Sequence, residues 1–134
     1  MQELIVTLTI WALPVLFAIT LHEAAHGYAA RHFGDRTAEL AGRISLNPIR
    51  HIDPVGTILV PGLILITSSL VGAGAMLFGW AKPVPVNFGR LRNPKADMLW
   101  VAAAGPFANL VMAIGWALLF RVAVGMPDNA YALP

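Results

Sequence analysis

Leu4-Ile5-Val6-Thr7-Leu8-Thr9-Ile10-Trp11-Ala12-Leu13-Pro14-Val15-Leu16-Phe17-Ala18-Ile19-Thr20-Leu21 is an uncharged run of 18 residues. It passes without a break into His22-Glu23-Ala24-Ala25-His26 and continues through Gly27 to Ala30 before meeting Arg31. That length and apolarity are what a bilayer-spanning helix requires. A secretory leader is the competing reading, but the run exceeds an ordinary leader's apolar region, and Glu3 precedes it with no Lys or Arg. The polar pentapeptide is therefore expected on the same helix as the apolar run.

Working outward, two further runs lack charge. Pro54 to Ala81 is punctuated by Pro61-Gly62, Gly72 and Gly74 and reads as either one bent span or a re-entrant pair. Met98 to Phe120, bounded by Asp97 and Arg121, is a clean span of 23 residues. Composition agrees, with 57% hydrophobic and 12% charged residues, where soluble domains carry about a quarter charged. The expected fold class is an all-α, multi-pass membrane protein of about three transmembrane helices, built as a single unit over residues 1–134.

Two basic loops separate these runs, 31–53 with four arginines and 82–97 with Lys82, Arg90, Arg92 and Lys95. They lie on opposite sides of the membrane if the middle run crosses once, and both face the cytoplasm if it is re-entrant. Short basic segments between apolar stretches suit lipid headgroups, so the bilayer is an expected partner and nucleic acid is not. No residue pattern specifies an oligomeric state. Within the first loop, Leu40, Ile44 and Leu46 alternate with Arg43, Ser45 and Asn47, which predicts a short β-strand ended by Pro48. It could serve as surface structure or as an edge for an unwound substrate segment. In the second loop, Pro83 and Pro85 hold residues 82–87 extended.

The chemistry concentrates at residues 22–26. On a helix His22 and His26 project from one face and can close on a single ion, with Glu23 about a third of a turn away. This spacing is the signature of a zinc site in which a carboxylate serves as general base of a metalloprotease. With no cysteine in the chain, any metal must be held by His and carboxylate. The alternative, polar residues at a membrane surface, is weakened because each ionisable side chain within a span costs about 2.5 to 3.5 kcal/mol. A shared Zn2+ supplies the compensation, and the small neighbours Ala24, Ala25, Gly27, Ala29 and Ala30 let another helix approach. Asn109, three residues after Pro106 in the third run, also needs a partner at depth. His51 and Asp53 read as local loop caps, and His32 as a headgroup-level residue.

The chain resembles the site-2 protease family of intramembrane zinc metalloproteases, in its small bacterial form. The resemblance rests on His22 to Gly27, on Gly42 to Pro48 with His51-Ile52-Asp53-Pro54, on Gly79 to Asn87, and on Ala104-Gly105-Pro106-Phe107-Ala108-Asn109. It implies an integral protein of the bacterial inner membrane that cleaves membrane proteins within or next to their spans. Glu23 would be catalytic, His22 and His26 metal ligands, and Asn109 a residue steadying substrate or oxyanion. The resemblance also calls for a third ligand, an Asp in a Leu-Asp-Gly motif, which does not occur before Pro134. That ligand is expected beyond Pro134, on a metalloprotease core incomplete at its C-terminus. Asp53 and Asp97 are the weaker substitutes. Two non-proteolytic readings stand beside this one: a membrane module that binds proteins without cutting them, and a channel or carrier that uses the buried charges.

Overall fold

The computed structural model describes residues 2–72 and 79–125. Two long helices dominate: α1 over Gln2–His32 and α4 over Pro94–Val124. A short α2 covers Thr37–Leu40, and α3 covers Val60–Val71. Only α1 and α4 are long and apolar enough to cross a membrane among the described residues. At 1.5 Å per residue each is about 46 Å long, which exceeds a hydrocarbon core of about 30 Å. Their outer faces leave Ile5, Trp11, Phe17, Phe107, Leu118 and Phe120 exposed, as lipid-facing surface requires.

The inner face of α1 is a stripe of small residues, Thr20, Ala24, Gly27 and Ala30, all buried. Opposite it runs the α4 stripe Asp97, Val101 and Gly105, at four-residue intervals. His26 meets Val101 and His22 meets Asn109, so the two helices pack antiparallel. Helix α1 ends in a left-handed turn: Gly34 has φ +103, Asp35 N–H reaches the Ala30 carbonyl at 2.8 Å, and Gly34 N–H reaches that of Arg31 at 3.1 Å. Helix α4 starts at Pro94, and the Asp97 carboxylate accepts the Asn93 N–H at 2.7 Å.

The middle apolar run differs from a single crossing. It opens with a π-helical turn, Pro54–Leu59, that leads into α3, which stops at Gly72 with φ +68. Residues 73–78, Gly74 among them, lie outside the described residues. By Trp80 the chain is back at its start: Trp80 N–H bonds the Gly56 carbonyl at 3.0 Å, and the Thr57 hydroxyl bonds the Trp80 carbonyl at 2.7 Å. The run thus begins and returns at one end of the α1–α4 pair. Alone, α3 rises about 18 Å, too little for a span.

The predicted strand at 40–47 does not form. Leu40 closes α2, Gly42 sits at φ +66, and the Arg43 N–H turns back to the Ala38 carbonyl at 2.9 Å. The carbonyl of Ser45 faces the His51 ring, 2.8 Å from Nε2. These bonds are local, so no ladder is available, and among the described residues there is no strand. The alternation had a different cause, since Ile44 packs over Gly27 of α1.

Residues 79–87 are extended, as their prolines demand. Lys82 N–H bonds the His51 carbonyl at 3.0 Å, and the Arg43 guanidinium bonds the Lys82 carbonyl at 2.7 Å. Asn87 N–H reaches the Asp35 carboxylate at 2.6 Å. The two basic loops are therefore bonded to each other, and eight of the nine Lys and Arg residues share one end of the helix pair.

Asp35 is fully buried and accepts from the Thr37 N–H and hydroxyl as well as from Asn87. Burial alone would push its carboxyl up, but the Thr37 and Asn87 hydrogen bonds, with Arg90 nearby, hold it below its ordinary range. A depressed folded-state pKa makes this contribution complete above the ordinary carboxyl value of about 3.9, and it drains away as pH falls through the lower folded value. Asp35→Ala should cost about 1–3 kcal/mol, the range for leaving buried donors unpaired. The protection factor of the Asn87 amide, taken relative to the intrinsic exchange rate at each pH, should fall in the variant at neutral pH and in the parent only in acid. Unchanged protection in the variant would refute the tie.

Candidate metal centre

His22 and His26 stand one turn apart on the α4-facing side of α1, with ring centroids 4.7 Å apart and planes at 82°. His26 Nδ1 lies 2.7 Å from the Val101 carbonyl oxygen. A carbonyl only accepts, so Nδ1 carries the proton and Nε2 keeps its lone pair, the form in which imidazole binds a metal. His22 Nδ1 faces the Asn109 amide, 3.2 Å from Nδ2, while Asn109 Oδ1 is buried with no hydrogen-bond partner.

Both Nε2 atoms converge over Gly105. A Cβ on that residue would lie 2.5 Å from His26 Nε2 and 2.6 Å from His22 Nε2. The two nitrogens are thus no more than about 5 Å apart, a range that includes the ~3.3 Å between two ligands of one tetrahedral zinc. The missing side chain is what lets the rings close toward each other against α4.

Glu23 is fixed by the extended segment. Its Oε2 accepts the Val84 N–H at 2.9 Å. Pro83 and Pro85 have no N–H, so this is the one amide donor in the Pro-Val-Pro tripeptide. Val84 itself packs over Gly27, where a Cβ would come within 3.4 Å of its methyl carbon. A single short segment therefore seats against the helix and fixes the carboxylate of the residue next to His22.

The other residues singled out from sequence have separate places. Asp53 accepts the Val55 and Gly56 amides at 2.8 Å and caps the π-helical turn. Asp97 caps α4. Neither carboxylate joins the histidines, and no group of three His, Asp or Glu side chains gathers among the described residues. His51 is buried in the loop against Ser45, and His32 is exposed at the end of α1. Missed from sequence were the Val101 carbonyl, the Val84 amide and Gly105. Backbone groups leave no side-chain signature, though Gly105 beside Ala102 to Ala104 marked a close approach.

The donor set fits a nitrogen-favouring divalent cation: one imidazole has its Nε2 lone pair fixed and a second points to the same place. It would supply two of the three protein ligands that a catalytic zinc keeps.

No family model matches the chain, and no solved structure matches it. Among curated proteins it is 44% identical over 106 residues to one named "Putative zinc metalloprotease YwhC" from Bacillus subtilis, across 78% of this chain and 42% of that protein. It is 29% identical over 118 residues to "Putative zinc metalloprotease Rip2" from Mycolicibacterium smegmatis, across 88% of this chain and 41% of that protein. The chain thus spans about two-fifths of the length of each relative. The motif on α1 and the identity running through most of the chain point the same way: over most of its length this chain is a relative of proteins named as putative zinc metalloproteases.

Proposed function

We propose that this chain carries part of the active site of a zinc-dependent endopeptidase that cuts membrane proteins within or next to their spans. The observation that carries the reading is the convergence of His22 and His26 Nε2 over Gly105, with a carboxylate one residue along the same helix. His22 and His26 would hold the zinc, and the third ligand would come from residues other than those described. Zinc supplies a Lewis acid that polarises the scissile carbonyl and acidifies water. Glu23 takes the proton of the attacking water and delivers it to the departing amine. The Val84 amide engages Oε2 and leaves Oε1 for that transfer.

The helix pair carries the two basic loops at one end. By the excess of Lys and Arg there, that end faces the cytosol, with α1 and α4 crossing the bacterial inner membrane. One observation favours a second reading, a module that holds membrane proteins without cutting them: the described residues gather two imidazoles and no third ligand. Cleavage of a reconstituted single-span substrate separates the two readings.

Glu23→Gln in the reconstituted protein should lower cleavage by about 10²- to 10⁴-fold, the range of general acid–base catalysis, with zinc retained. Undiminished turnover would remove Glu23 from the mechanism. Gly105→Ala should weaken zinc binding at least tenfold, because its methyl group falls under 3 Å from both Nε2 atoms. Gly115→Ala, with nothing within 4 Å on the same helix, is the matched control. A helical Gly→Ala change ordinarily stabilises by about 1 kcal/mol, so equal zinc affinity in the two variants would count against the geometry.

A further inference from the structure

Three positions on α4, four residues apart, address the two imidazoles: Val101 through its carbonyl, Gly105 through its missing side chain, and Asn109 through its amide. Val101 acts on His26, and by the antiparallel packing Asn109 occupies the equivalent place against His22. The two contacts differ in one respect. The Val101 oxygen can only accept, so it fixes His26 with Nε2 unprotonated, whereas Asn109 turns Nδ2 toward His22 Nδ1 and leaves its Oδ1 buried without a partner. With Nδ2 there, His22 Nδ1 must accept, its proton sits on Nε2, and that nitrogen cannot bind a cation. A half-turn of the amide exchanges its two ends. It brings Oδ1 onto His22 Nδ1–H and frees His22 Nε2 toward the same place as His26 Nε2.

We infer that Asn109 is a positioning residue for His22: its amide oxygen, turned onto Nδ1–H, selects the tautomer whose Nε2 can ligate a divalent cation. This deepens the zinc reading and departs from an oxyanion role, since the amide is occupied by a ligand's far nitrogen. Helix α4 then presets both rings, one through backbone and one through a side chain.

The test reads the tautomers directly, by nitrogen NMR of the full protein in detergent with 15N-labelled histidine, metal-free and at pH 8.5, where imidazoles are neutral. His22 and His26 should both carry the proton on Nδ1. Asn109→Leu should move His22, and not His26, toward the Nε2–H form, while Asn109→Asp, which keeps an acceptor, should restore it. His22 found with Nε2–H in the parent, or unmoved in Asn109→Leu, overturns the proposal. In zinc titrations against a competing chelator, Asn109→Leu should weaken binding by about 10- to 100-fold, with Asn109→Asp near the parent; equal affinity in the parent and Asn109→Leu also overturns it. The expected tautomers in a parent that binds no zinc would sink the zinc reading while leaving the positioning role standing.

Discussion

The contact between α1 and α4 in which two imidazoles crowd over Gly105 constrains most of what surrounds it. Rings at that depth cannot be left unpaired, since buried polar groups without partners cost free energy that apolar neighbours do not return. The solution is an antiparallel pair of helices in which small residues on α1 allow contact and α4 presents polar groups one turn to either side of the glycine. Once the pair is set, the ends of the helices are set too. The end of α1 and the start of α4 lie together, so the loops that follow and precede them must meet.

They meet through hydrogen bonds at backbone positions. The extended segment 82–87 is bonded to His51, Arg43, Glu23 and Asp35, which belong to α1 and to the first loop. Its two prolines limit its freedom before folding and leave few amides to satisfy. That economy explains why a stretch with no regular secondary structure is nevertheless well held. It also links the carboxylate on α1 to the loop network, so Glu23 is supported from outside the helix pair.

Much of this could be read from the sequence. The apolar runs gave α1 and α4 with nearly their observed limits, and the spacing of His22 and His26 placed both rings on one face. Proline content gave the extended segment. The strand at 40–47 was misread because a period of two needs a partner to become a strand; here the alternation reflects Ile44 seating on Gly27 beside a left-handed glycine. The course of the middle run was undecidable from hydropathy, since a chain that returns and a chain that crosses share the same composition. Its fate was set by the Trp80 contacts with Gly56 and Thr57, between residues distant in sequence. The partners of the imidazoles were hidden for a simpler reason: one is a main-chain oxygen.

That last feature has a bearing on how such a centre tolerates change. Because the group that orients His26 belongs to the peptide unit of Val101, almost any residue can replace the valine without removing it. What the arrangement cannot survive is a slip in phase. One residue inserted or deleted between Pro94 and Val101 turns the helix by about 100°, carrying the oxygen, the gap at Gly105 and the amide of Asn109 away from α1 together. The side chain at 101 is thus free of this duty, while the register of α4 is held fixed by all three contacts together.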